Sequence, residues 1–460
     1  MKASIIENPI QRITLIMVLL NAFTTPLMLS AVNVAIPSIA KALSINAVLL
    51  CWIPMAFLTA SAMFVLIFGR IADMVGRKKI FLIGTSCVIV TSIIASFADN
   101  GIALIVARFL QGVSAAMLYA TQVAIISSIF PPEKRGYAIG LTVSAIYFGL
   151  TAGPLIGGYM VDLFGWRASF LVHLPLAVVA LFIGLFYVKD EWLSEDRGSF
   201  DLFGSILYML SILTICLGVS FLPSSLSLIL ILLSLAGFIL FFFFEKKHKH
   251  PIFDVSLFYT NRIFTFSCIA SLIIYTATFA NVIQVNLFLQ YLKGLSATTA
   301  GMIMMCQPLT MAIFSPIAGR LSDKFEPRYL STLGMAITCC GLIMLSNLRI
   351  DSELIYLIFS LIITGLGFSL FSPPNVNAIM GSVEKKFYGS ATGAMATMRI
   401  IGQMSSMILV TLIFALIIGS VEINQDNYIN LQEAIHIVFI IAALLCIPGL
   451  YFSMTRGKIF

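Results

Sequence analysis

The chain has 460 residues, of which 60% are hydrophobic and only 10% charged, and its net charge is +7. Soluble domains carry roughly 25% charged residues, so most of this apolar surface must face lipid or neighbouring helices. The composition excludes a soluble enzyme, a nucleic-acid-binding module and a disordered scaffold, and leaves the positive charge to set membrane orientation.

A hydrocarbon core of about 30 Å needs about 20 apolar residues per helix. Such runs fall at 12–37, 46–69, 80–98, 101–129, 137–161, 168–188, 203–222 and 226–244. Six more fall at 262–289, 297–319, 329–348, 354–380, 388–419 and 432–455, making fourteen. They are continuous rather than alternating, which predicts helices and not a membrane barrel. The first run follows Lys2 and Arg12 and extends to Ala40. That is too long for a signal-peptide core, so it reads as an uncleaved span.

The eight cysteines all lie in apolar runs, with no CxxC pair and no histidine at metal-ligand spacing. They read as small packing residues, and neither a metal nor a cofactor is expected. His248 and His250 belong to a basic loop, EKKHKH, which reads as solvated.

An even number of spans puts both termini on one side. Of the 27 Lys and Arg residues, 21 fall on that side, including Lys2, Arg197, Lys249, Lys385 and Lys386. Only Lys41, Arg167, Lys293 and Arg349 fall opposite, while Arg108 and Arg399 lie within spans. The positive-inside rule then predicts cytoplasmic termini. Short loops suit a multi-pass protein of a prokaryotic plasma (inner) membrane.

Two segments repeat. FVLIFGRIAD ends the second run at Asp73, and FSPIAGRLSD ends a later one at Asp323, 250 residues on. Six helices with short loops need about 190–200 residues, and the surplus matches two extra helices. The predicted organisation is a six-helix bundle at 1–190, an inserted pair at 191–250 and a second six-helix bundle at 251–460. Parallel repeats about the membrane normal are a transporter architecture, with the substrate path between them.

These residues resemble the major facilitator superfamily, specifically its fourteen-helix drug:proton antiporters. GRIADMVGRKK, from Gly69 to Lys79, matches the family's loop after the second helix. The resemblance implies a conformational latch there, built from Gly69, Arg70, Asp73, Gly76, Arg77 and Lys78, with Asp323 in the repeat. LIVARFLQG matches the family's fourth-helix motif at Arg108, Gln111 and Gly112. GLTAGPLIGG resembles the antiporter signature at Gly149, Gly153, Pro154, Gly157 and Gly158. Its glycines recur every four residues, a smooth face for close helix contact. In the family this motif accompanies export, so the resemblance implies efflux, coupled to protons.

One departure bears on mechanism. Asn33 and Pro37 fit the family's first helix, but the position where many relatives carry an acid is Met28. No acid lies deep within a run; Asp162 comes closest, and Glu245 and Glu422 mark ends. Two intramembrane arginines without an intramembrane acid predict a cavity that favours neutral, zwitterionic or anionic substrates. Asp162, Asp73 and His173 are the candidate proton carriers.

Polar groups within runs are sparse, which makes Asn33, Tyr147, Asn281, Gln284, Gln307, Asn377 and Gln403 candidate cavity residues. Arg399 and Gln403 share a helix face, as do Asn281 and Gln284. Pro373-Pro374 is expected to break or kink its helix, and the inserted pair is expected to be peripheral and lipid-facing. The expected partners are the bilayer, a small-molecule substrate and the proton; no nucleic acid is expected, and the chain reads as a monomer. Three functions compete: export of small lipophilic or drug-like molecules, export of one endogenous metabolite such as a siderophore or peptide, and a non-transporting membrane sensor. No paired carboxylates or nucleophile–base pair occur within runs, so an enzyme is not expected.

Overall fold

The computed structural model describes residues 9–193, 200–222, 224–248, 251–253, 255–384 and 388–458. Lys2, Arg197, Lys249, His250, Lys385 and Lys386 lie outside the described residues. Fourteen helical spans correspond to the fourteen predicted runs. They are α1 Pro9–Leu43, α2 Ala47–Val75, α3 Arg77–Ser96, α4 Gly101–Ile129, α5 Tyr137–Phe164, α6 Trp166–Phe186 and α7 Leu202–Ser220. Then come α8 Ser225–Glu245, α9 Arg262–Leu292, α10 Ala297–Ser322, α11 Pro327–Ser346, α12 Leu354–Gly381, α13 Ser390–Ile417 and α14 Gln425–Thr455.

Several helix starts are written locally. The side chains of Asn46, Asn100, Asp201 and Asn261 each accept the amide three residues on, at 2.9–3.0 Å. Each satisfies a donor that the first turn leaves unpaired. Gly76, at φ 128°, makes the sharp joint between α2 and α3, a conformation that favours glycine.

Two prolines act by freeing carbonyls rather than by breaking helices. Pro37 has no N–H, so the carbonyl of Asn33 has no helical donor; Asn286 of α9 donates to it at 2.8 Å. Pro154 likewise frees the carbonyl of Leu150, which accepts from Ser30 of α1 at 3.4 Å. At Pro373-Pro374 the expected break does not occur: one helix runs from Leu354 to Gly381. Interruptions fall instead in α10 at Met305 and in α9 between Thr278 and Asn281, where there is neither proline nor glycine. There Ser406 of α13 accepts the Ala280 amide at 3.0 Å. Only a neighbouring helix could supply that acceptor, so the break has no signature in the local sequence.

Spans α1–α6 pack together, as do α9–α14, and the two groups meet along α1/α9, α2/α13 and α5/α10. The inserted pair divides. α8 exposes Leu228, Ile229, Leu232, Leu233, Ile239 and Phe243, as expected of a lipid-facing helix. α7 exposes Leu202, Phe203, Ile206 and Leu210 on one side, and with the other it packs on both α2 and α13. Tyr208 is buried and donates to the Ala62 carbonyl at 3.0 Å, and Trp52 of α2 donates to Ser220 at 2.9 Å.

The contacts between the two groups lie at the end away from the chain termini. The Ala47 amide donates to the Val421 carbonyl at 2.9 Å. Asn286 reaches Asn33 and Val34, and Gln290 reaches Val34 at 2.9 Å. At the end where α1 begins and α14 finishes, Gly69, Gly140 and Gly393 border open space.

Candidate functional site

Both groups contribute to a polar–aromatic centre. Tyr119 of α4 lies under the Arg399 guanidinium of α13, 5.7 Å from ring centroid to cation. The Tyr147 hydroxyl of α5 faces Ser372 of α12 and Ser315 of α10, with Tyr275 and Arg399 within electrostatic reach. Tyr275 of α9 packs edge-on to Phe368, with centroids 5.4 Å apart. Six helices from both groups therefore bring hydroxyls, rings and one cation together.

Further along α9, beyond its interruption, Asn281 and Gln284 are almost fully buried. Neither the Asn281 amide nitrogen nor its oxygen has a hydrogen-bond partner, and the Gln284 side-chain oxygen also lacks one. The Asn33 side-chain oxygen and the Gln122 amide nitrogen are buried and unpartnered as well. Buried amide atoms normally find partners, because leaving one unmade costs about 1–3 kcal/mol. Left unpaired inside the helix bundle, they are groups open to a ligand or to water. Gln307 lies on α10 where Gly365 of α12 crosses it, and Gln403 follows Gly402, which packs on α9 at Leu272 and Tyr275. Asn377 is exposed and donates to Ser322, beside Gly319 and Asp323 at the termini end. Asn375 is held elsewhere, by Arg456 and Ser271.

Arg108 lies outside this centre, wholly buried within α1–α6. Its Nε donates to the Ile53 carbonyl at 3.1 Å and its Nη1 to Gln111 at 2.5 Å. Gln111 donates to Ser92 at 2.6 Å, and Ser92 lies 3.2 Å from His173 Nε2. The Phe57 ring sits 4.7 Å from the guanidinium. Gly112 lets α4 approach α2 so closely that a Cβ there would lie 2.2 Å from the Phe57 carbonyl oxygen. The Met28 sulfur is 3.9 Å from the Ser92 hydroxyl. The first-helix position facing this network is thus a thioether, and among the described residues Arg108 has no carboxylate partner. One guanidinium nitrogen of Arg108 and Nδ1 of His173 remain unpartnered.

The α2–α3 joint is a compact ion cluster. Arg77 binds Asp73 through two nitrogens, at 2.7 and 2.9 Å, and reaches Ser128 of α4 at 2.7 Å. Glu191, from the segment after α6, accepts the amides of Lys78 and Lys79 at 2.8 and 3.1 Å. It thereby places a negative charge at the start of α3, where the helix dipole favours one. Arg70 keeps two buried nitrogens without partners.

The glycine–proline face of α5 serves two contacts. Gly149, Gly153 and Gly157 seat α5 on α1, against Phe23, Ser30 and Ala31. Gly158 faces the other group: a Cβ there would lie 2.4 Å from the Ala297 carbonyl oxygen of α10. Gly301 of α10 returns the contact, with the Pro154 oxygen 2.1 Å from its would-be Cβ. Asp162, exposed at the same end, accepts the Thr298 amide at 2.8 Å and so caps α10 across the two groups.

The Major Facilitator Superfamily profile matches residues 18–274 and 266–458. Riboflavin transporter RibZ of Clostridioides difficile (strain 630) is 32% identical over 387 residues, spanning 84% of each chain. Multidrug resistance protein Stp of Mycobacterium tuberculosis (strain CDC 1551 / Oshkosh) is 29% identical over 401 residues, 86% of this chain and 74% of that one. A POT family transporter solved in complex with 5-aminolevulinic acid superposes with a TM-score of 0.74 over 97% of this chain and 96% of that one. Its identity of 15% makes it a likeness of fold alone.

Proposed function

Because the chain belongs to the major facilitator superfamily, we propose that it is a proton-coupled secondary transporter that exports small, neutral or anionic molecules across the plasma membrane. With the termini in the cytoplasm, the contacts at the opposite end close the cavity to the outside. The open space at Gly69, Gly140 and Gly393 faces inward. Rocking of the two six-helix groups about the cavity exchanges these states.

The observation that carries the reading is the donor set around the cavity. It offers Arg399, three tyrosines and unpartnered amides of Asn33, Gln122, Asn281 and Gln284, and it includes no carboxylate. Amides and rings suit a flat solute with a hydrogen-bonding edge, and a fixed cation disfavours dications. His173 is the proton carrier in this reading, because it joins Arg108 through Ser92 and Gln111 and keeps one ring nitrogen free.

The same donor set favours a second reading, a dedicated carrier of one heteroaromatic metabolite, with riboflavin the first compound to try given the similarity to RibZ. One experiment separates the readings. Purified chain in liposomes is given an imposed pH gradient and offered a dication, a neutral drug-like compound, an organic anion and riboflavin. Gradient-driven flux of the neutral and anionic compounds, lost in Arg399→Ala and His173→Gln, is the expected result. Flux of riboflavin alone establishes the second reading, and dication flux above the others refutes the first.

A further inference from the structure

Among the described residues, the only buried carboxyl groups are those of Asp201 and Glu245, 3% and 1% exposed. They stand at the base of the inserted pair, one just ahead of α7 and the other ending α8. Each has one oxygen satisfied by a backbone amide: Gly204 donates to Asp201 at 2.9 Å and Phe253 to Glu245 at 3.2 Å. The second oxygen of each has no donor. These two oxygens converge beside Gly204, where a Cβ would lie 2.3 Å from the one and 2.6 Å from the other. The two carboxyls lie within electrostatic reach of each other. His248 stacks on Phe244, and its unpartnered Nδ1 is 3.9 Å from the free oxygen of Asp201.

We infer that Asp201 and Glu245 form a proton-binding carboxyl pair that shares one proton at neutral pH, with His248 as the third member of the site. Two buried carboxylates in contact cannot both be ionised without a large electrostatic cost. A shared proton supplies the one donor that both free oxygens lack. No lysine or arginine among the described residues relieves the pair. Lys246 lies over the Tyr259 ring at 5.0 Å, and neither Lys247 nor Arg70, on the helix that α7 packs against, makes an ion pair with it. Glu245 also accepts the Phe253 amide, so the pair is tied to that residue beyond α8. This site stands apart from the cavity and does not depend on the transport reading.

The test is infrared spectroscopy of the full chain in liposomes near neutral pH, following the carbonyl band of protonated carboxyl groups. Both Glu245→Gln and Asp201→Asn keep shape, and asparagine keeps the α7 cap. The expected result is a band in the native chain that each substitution abolishes. A band absent from the native chain, or one that survives either substitution, overturns the pair. Thermal unfolding gives a second readout. A proton held in the folded state and released on unfolding makes stability fall as pH rises. The unfolding temperature of the native chain is therefore expected to fall toward alkaline pH more steeply than that of either variant. Equal slopes overturn the inference.

Discussion

Gly158→Ala is expected to open the outer end of the transporter. The new methyl group would lie 2.4 Å from the Ala297 carbonyl oxygen, 2.8 Å from its carbon and 2.9 Å from the Thr298 Cα. All three are backbone atoms, so no side chain can rotate away and α5 must part from α10. Overpacking of this kind costs about 1–3 kcal/mol. The cost falls only on the state in which these helices touch, so the ratio of open to closed outer ends should rise about 5- to 150-fold. Gly157→Ala is the control, since its methyl group would press on Ala31 of α1, inside one helix group, at 2.6 Å. That strain is present in both states and should not shift the ratio. Hydrogen exchange in nanodiscs, followed over residues 154–164 and 297–305, reads the difference. Faster exchange in Gly158→Ala than in Gly157→Ala is the expected result. Equal exchange in the two variants, both folded, would refute the view that α5 and α10 form the outer gate.

Other substitutions probe separate parts of the argument. Met28→Asp places a carboxylate beside Ser92 in the Arg108 network, and dication flux should rise about tenfold or more, the equivalent of 1.4 kcal/mol; unchanged selectivity in liposome flux would count against the charge argument. Asn286→Leu removes the donor to the Asn33 carbonyl and one of the two to Val34, and should weaken outer closure by about 1–3 kcal/mol. Pro37→Ala restores an N–H to the Asn33 carbonyl, so a double-mutant cycle read by hydrogen exchange should show that the two changes are not additive. Arg456→Met should lower thermal stability by about 1–3 kcal/mol, since it leaves the buried Asn375 oxygen without its donor, whereas Lys458→Ala should leave the unfolding temperature unchanged.

Arg456 also marks a limit of sequence reading. It follows a long apolar run and reads as ordinary cytoplasmic charge, yet it is 1% exposed and bonded to three helices, and burial pushes its pKa down to about 10. Asp201 and Glu245 escaped in the same way. Each sits at the end of a run, where charge is unremarkable, and their meeting depends on how α7 and α8 fold back on each other.

The sequence by itself determined the membrane fold, the fourteen helices and the 250-residue repeat, because lipid imposes a fixed length and polarity on every span. It also marked the glycine stripe of α5, the Gly76 joint and the Arg108–Gln111–Gly112 motif, each of which is written within one helix or one turn although it acts on neighbouring helices. Tertiary structure alone decided which polar groups meet. Asn33 is read by Asn286 across 253 residues, α9 breaks where Ser406 accepts its amide, and α7 lodges against both six-helix groups. These contacts rest on helix packing, and a helix buried in lipid offers much the same apolar surface on every side. The hydrophobic pattern therefore counts the spans without saying which faces meet; the few polar atoms left unpaired by their own helix make that choice.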